Sequence, residues 1–137
     1  TSDNPRTEEP WSILLEVEAG LEGLPLSRYE AGELASDWPG RGYLMIVDRR
    51  AAIREAVRLM EPGDVLLIAG KGHEPYQEVA GVRRPFDDIE VARAALEARP
   101  NHVTARACLG QTLAQSRQRW QAVVGQPLSK ACSVMAS

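Results

Sequence analysis

Two apolar runs flank an amphipathic segment near the middle of the chain, and this pattern limits the folds open to it. The first run is Tyr43-Leu44-Met45-Ile46-Val47-Asp48; the second is Val65-Leu66-Leu67-Ile68-Ala69. Near-continuous apolar runs of this length fit strands covered on both faces. Between them, Ile53, Ala56, Val57 and Met60 stand at i, i+3, i+4 and i+7, which predicts an amphipathic helix over 49–60. Asp48 precedes it as a cap, and Glu61-Pro62-Gly63-Asp64 ends it. Strand, helix and strand at this spacing predict a βαβ unit, a parallel sheet and a right-handed crossover. Ligands of such sheets bind beyond the carboxyl ends of the strands. Gly70-Lys71-Gly72-His73-Glu74 lies at such an end.

The flanking segments extend this pattern. Thr7 is placed to cap a helix over about 8–19, with Glu8 and Glu9 in its first turn, where the helix dipole favours negative charge. Trp11, Leu14 and Leu15 would form its buried stripe, and Gly20 would stop it. Pro5 and Pro10 stiffen the entry. Residues 21–42 are rich in glycine and proline and read as a loop with a short helical turn near 30–35. Residues 76–80 and 82–84 flank Gly81 as a hairpin. Asp87 with Glu90 forms a capping box, and Ile89, Ala92 and Leu96 mark a helix over about 88–98. Arg99-Pro100-Asn101 closes the unit. Leu109, Leu113, Trp120 and Val124 then predict a further amphipathic helix over about 105–124, stopped by Gly125 and Pro127. The last ten residues read as disordered.

The chain has 137 residues, enough for one domain or one domain with an appendage. Its net charge of −3 argues against nucleic acid or an anionic membrane as partner. No apolar run approaches the roughly 18 residues of a membrane span. Cys108 and Cys132 lack metal-ligand spacing and read as reduced cytosolic thiols. The chain opens without methionine, inside a motif-like loop, so it is expected to be a piece of a longer protein.

Two polar loops carry the candidate chemistry. In Asp3-Asn4-Pro5-Arg6, Arg6 can grip a carboxylate in bidentate fashion, Asn4 can donate and accept, and Asp3 can take an ammonium or hold Arg6. The same residues can also be read as a capping turn with a surface arginine. Gly70-Lys71-Gly72 follows a strand, but the Walker A pattern fails: Val65 stands where its first glycine should be, and Gly72 where Ser or Thr should follow the lysine. The glycines either simply tighten a turn or let backbone approach a ligand, beside which Glu74 would accept from an ammonium. Lys71 is either a solvated charge or a contact for a ligand's anionic group. His73 is either a general acid or base or, since it lacks an evident Ser, Cys or metal partner, a structural or supporting histidine; His102 has no role. Asp87 and Asp88 are explained by a helix cap.

Taken together, Thr1-Ser2-Asp3-Asn4-Pro5-Arg6 with Glu8-Glu9-Pro10, then Asp48-Arg49 and Ala51-Ala52-Ile53, then Ala69-Gly70-Lys71-Gly72-His73-Glu74 with Tyr76-Gln77, and Phe86-Asp87-Asp88, resemble the C-terminal domain of a Mur ligase, of the diaminopimelate-adding kind. The resemblance covers residues 1 to about 99. It implies an α/β fold, a Rossmann-like mostly parallel sheet flanked by helices, to which the sequence adds a C-terminal amphipathic helix. It implies an ATP- and Mg2+-dependent, cytoplasmic, amide-forming enzyme of peptidoglycan precursor synthesis, and so a part in cell wall biogenesis, cell shape and cell division. Its UDP-N-acetylmuramoyl-dipeptide site and its ATPase site would lie in domains upstream. The residues that would contact meso-diaminopimelate are Asp3, Asn4, Pro5, Arg6, Gly70 and Glu74. Lysine lacks the distal carboxylate, so a buried Arg6 would reject it.

Under this resemblance no catalytic or metal-binding residue falls in the chain, and it should be inactive alone. Residues 100–137 extend past the family's usual end. They would be a linker into a fused or associated downstream Mur ligase, or a helix packing on this domain or on another copy. A different class of reading makes the chain a non-catalytic module that joins cell-wall enzymes through the face of Leu113 and Trp120.

Overall fold

The computed structural model describes residues 1–34, 41–61, 64–71, 74–99 and 131–134. Its elements run α1 (Pro10–Ala19), β1 (Ser27–Tyr29), β2 (Gly42–Leu44), α2 (Arg49–Leu59), β3 (Val65–Ile68), β4 (Tyr76–Val79), β5 (Val82–Pro85), α3 (Asp88–Glu97) and β6 (Ala131–Val134). This is a mixed α/β fold. Among the described residues the strands pair as three two-stranded sheets: β1 with β2 and β3 with β6, both parallel, and β4 with β5, antiparallel.

The central helix forms as its periodicity predicts. The Asp48 carboxylate accepts from the Ala51 amide at 2.6 Å, satisfying a first-turn donor, and Met60 follows as the C-cap. Ile53, Ala56 and Val57 point inward, and α2 packs on α3 and β3. The core joins Ile53 and Ala56 of α2, Val91 and Ala92 of α3, and Phe86, with Leu66 and Ile68 of β3 laid against it. Burying a residue such as Ile53 contributes about 1.5–3 kcal/mol. Asp87 starts α3 by accepting from the amides of Ile89 at 2.7 Å and Glu90 at 3.3 Å. The hairpin turns through Ala80 and Gly81, both at positive φ.

Several expectations change. The apolar run 43–48 forms strand only at its start, and that strand pairs with β1, in a segment read as loop, not with β3. Further on, the Val47 carbonyl accepts from the Thr1 hydroxyl at 2.9 Å and Asp48 turns to cap α2, so the backbone leaves the ladder. Neither run is fully covered: Val65 is exposed, and the rest of β3 is half-buried. Glu9, not Thr7, caps α1, because its carboxylate reaches the Ser12 amide at 2.8 Å and Pro10, lacking an N–H, fits the first helical position. Only Leu14 of the expected α1 stripe is buried; Trp11 and Leu15 are exposed. β6 lies in the terminal segment that read as disordered, its register pairing Val65 with Ala131 and Ile68 with Val134. The helix expected over 105–124, with Leu113 and Trp120, lies outside the described residues, as do His73, His102 and Cys108.

One buried ion pair fastens these elements. Arg49, first residue of α2, is fully buried and donates to Asp88, first residue of α3, at 2.8 and 2.7 Å, and to the Ala69 carbonyl beyond β3 at 3.1 Å. Removing either partner should therefore be costly, but unequally. Asp88→Ala leaves a fully buried cation without its counter-charge and should cost about 3–5 kcal/mol. Arg49→Met fills most of the same space and leaves a carboxylate that water still reaches, so it should cost less. Urea unfolding midpoints of the two variants check the order.

Candidate functional site

The two polar loops meet. The Asn4 carboxamide oxygen accepts from the Glu78 amide of β4 at 2.7 Å, which fixes the orientation of the group. Its nitrogen then faces the Glu74 carboxylate and donates to Oε2. The other carboxylate oxygen accepts from the Tyr76 hydroxyl at 3.3 Å. Glu74 is half-buried, and its carboxylate has acceptor positions beyond these two. An ammonium group could take them.

The opening loop is clamped by its backbone. Ser2 and Pro5 are buried. Arg6 forms a parallel bridge with Val79: its amide donates to the Glu78 carbonyl at 2.9 Å, and its carbonyl accepts from Gly81 at 3.1 Å. These bonds hold Arg6 at φ 55°, a left-handed conformation uncommon for a residue with a side chain. The guanidinium is exposed and has no hydrogen bond or ion pair among the described residues. Its backbone is thus fixed while its fork of donors stays open. The burial of Arg6 that rejection of lysine would need is not seen in this chain. Nor does Asp3 hold Arg6; its carboxylate accepts from the neighbouring Asn4 amide at 2.6 Å.

Gly70 ends the β3 run at φ 103°, a region that disfavours any side chain. The direct hydrogen bond between the two loops, among the described residues, runs through Asn4 and Glu74 rather than through Gly70. Lys71 fits neither sequence reading. It is buried, and its ammonium donates to the carbonyls of Glu74 and Phe86. Burial lowers its pKa from the ordinary lysine value, and Arg49 adds to this, while Asp88, Asp87 and Glu74 oppose it. Tyr76 was not anticipated as a partner of Glu74, although its place two residues on puts both on one side of the strand entering the hairpin. Asp88 serves as Arg49's counter-ion rather than as a cap. Among the described residues no group of three or more His, Cys, Asp or Glu side chains could hold a metal ion, and no helix is long and apolar enough to cross a membrane.

This geometry sits within a known sequence relationship. Over 95 residues the chain is 47% identical to a UDP-N-acetylmuramoyl-L-alanyl-D-glutamate–2,6-diaminopimelate ligase of Geobacter metallireducens, covering 69% of this chain and 19% of that protein. Ligases of the same name from Streptomyces coelicolor, 46% identical over 97 residues, and Chlorobaculum tepidum, 48% over 94, cover 71% and 69% of this chain and 17% and 15% of their own lengths. The chain belongs to the Mur ligase family. Within that family its similarity is to the diaminopimelate ligases, of which it spans less than a fifth of the length. No protein-family profile matches the chain, and no solved structure does.

The Asn4 bridge invites a direct test. Asn4→Asp would set a second carboxylate against Glu74 and remove the donor between them. Asn4→Ala leaves the Glu78 amide without its side-chain acceptor, at a cost of about 1–3 kcal/mol. Both should lower the unfolding midpoint, and Asn4→Asp should recover stability on acidification as one carboxylate takes a proton. Thermal unfolding at neutral and mildly acidic pH reads this out.

Proposed function

We propose that this chain contributes the diaminopimelate-recognition domain of an ATP-dependent amide-bond-forming ligase of cytoplasmic peptidoglycan precursor synthesis. The observation that carries the reading is the Asn4–Glu74 hydrogen bond, which joins the two motifs into one polar surface. The distal end of meso-diaminopimelate carries an ammonium and a carboxylate. Glu74 offers acceptor positions to the ammonium, and Arg6 offers a guanidinium without a partner among the described residues to the carboxylate. Asn4 and Asp3 shape the surface between them, Pro5 stiffens it, and Gly70 permits a close backbone approach. In this reading residues 1–99 form a Rossmann-like amino-acid-substrate domain, and residues 100–137 an extension.

Mg2+ would be held with the nucleotide phosphates, and no step of catalysis is assigned to a residue of this chain. Nucleotide and UDP-N-acetylmuramoyl-dipeptide would bind on parts of the ligase outside this chain. The chain's own task is to hold the diamino acid so that its reacting amine meets the activated carboxyl carbon, a positioning role. Because Arg6 is exposed here, rejection of lysine requires the surface to close against another part of the ligase. Only a desolvated guanidinium left without a carboxylate carries a large penalty.

In a full-length ligase carrying this domain, Arg6→Ala should raise KM for meso-diaminopimelate by about 100-fold or more and narrow the discrimination against L-lysine. Steady-state amide formation with each amino acid measures both. Unchanged use of diaminopimelate would show that the opening loop is not the recognition element.

A further inference from the structure

The buried lysine of the second loop has no role in the reading above, yet its contacts place it behind the ligand-facing carboxylate. Lys71 lies two residues past the run that contains β3, and its side chain turns inward instead of toward solvent or ligand. The ammonium donates to the Glu74 carbonyl, three residues on, and to the Phe86 carbonyl immediately before the Asp87 cap of α3. The Phe86 ring lies 5.2 Å from the ammonium on one flank and 5.1 Å from the Arg50 guanidinium. A second tie runs beside the first: the Phe86 amide donates to the Pro75 carbonyl at 3.0 Å. The backbone at Glu74 and Pro75 is thereby fastened to the start of α3, while the Glu74 side chain faces Asn4 and Tyr76.

We propose that Lys71 is a positioning residue for diamino-acid recognition, acting through Glu74 without touching the ligand. The inference rests on the reading that Glu74 receives the distal ammonium. A carboxylate on a loop has its own rotamer freedom and that of the backbone beneath it. Lys71 removes the second by cross-linking the Glu74 carbonyl to a carbonyl that the core already holds through Phe86. An ammonium suits this task because it offers three donors and no acceptor, so it satisfies two converging carbonyls at once. A buried cation is costly unless hydrogen-bonded, which is a reason for the position to keep both acceptors occupied. The lowered pKa follows from the same burial.

The test is a double-mutant cycle in a full-length ligase carrying this domain, with Lys71→Met, Glu74→Gln and the pair. Lys71→Met should raise KM for meso-diaminopimelate about 10- to 100-fold, the scale of effect that a misplaced binding group produces. KM for ATP and for the UDP-dipeptide should stay within about twofold, a split that general destabilisation would not produce. In the Glu74→Gln background, Lys71→Met should add little, since its effect runs through that carboxylate. If Lys71→Met does not fold, Lys71→Gln, which keeps one donor, replaces it with a smaller shift of the same pattern. An unchanged KM for diaminopimelate in a folded Lys71 variant, equal losses for all three substrates, or full additivity with Glu74→Gln would each overturn the proposal. If Glu74→Gln alone leaves that KM unchanged, it is the recognition reading that fails, and the two failures are thereby distinguished.

Discussion

A single guanidinium, that of Arg49, ties together the ends of three elements, one of which leads directly into the site. Arg49 opens α2, Asp88 opens α3, and Ala69 closes the run that contains β3. A cation at a helix N-terminus is opposed by the helix dipole, so α2 gains nothing electrostatic from having arginine there. What compensates is the carboxylate of Asp88, itself favourably placed in the first turn of α3. The geometry is side-on and two-pronged, the arrangement that gives an arginine–carboxylate pair its directional strength. One of its nitrogens, Nη1, nonetheless has no partner among the described residues. Such a pair is a weak source of net stability, while loss of either partner strands a charge that the fold has largely taken out of water. The strand end that carries Gly70 and Lys71 is held by the same group.

From that anchored edge the site is assembled mostly by backbone and carboxamide contacts. The opening loop reaches the hairpin through the Arg6 backbone and the Asn4 side chain, and the second loop reaches α3 through Lys71. Arg83 supports the hairpin from outside, pairing with Glu78 at 2.7 Å and lying 4.8 Å over the Tyr76 ring. Exposed pairs of this kind contribute little to stability. Their effect here is to favour one orientation of the ring whose hydroxyl meets Glu74.

The sequence made legible those parts whose signal is local. α2 and α3 announce themselves by helical spacing and by Asp48 and Asp87 as caps, and the hairpin by Gly81 between extended segments. The motif residues Asn4 and Glu74 were identified as candidates, and they do come together. What escaped depends on long-range partners. Ser27–Tyr29 is too short and polar to read as a strand until β2 pairs with it, and Ala131–Val134 shows itself only through its register with β3. The stripe expected on α1 failed because periodicity reports a face, not how completely a surface covers it; Trp11 and Leu15 stay partly exposed, with the Arg28 guanidinium 6.0 Å from the Trp11 ring. Lys71 escapes because a lysine between glycines reads as a solvated charge or a ligand contact, and nothing local reveals two carbonyls converging on it.

Arg6 shows how the two kinds of information combine. Its identity points to carboxylate recognition, but the sequence also leaves a surface arginine open. The structure sharpens the distinction through the backbone rather than the guanidinium. A non-glycine residue held at φ 55° by two main-chain hydrogen bonds carries a conformational cost that an exposed side chain, without a partner among the described residues, does nothing to offset. Left-handed conformations of this kind persist where the surrounding structure imposes them. Here the imposing groups are the Glu78 carbonyl and the Gly81 amide, both on the hairpin that also orients Tyr76 and receives Asn4. The strain therefore ties the position of one charged group to the element that positions the other. Arg6 and Glu74 thus both lean on the hairpin, Arg6 through its backbone and Glu74 through Asn4 and Tyr76, and a ligand bridging them would meet two opposite charges there.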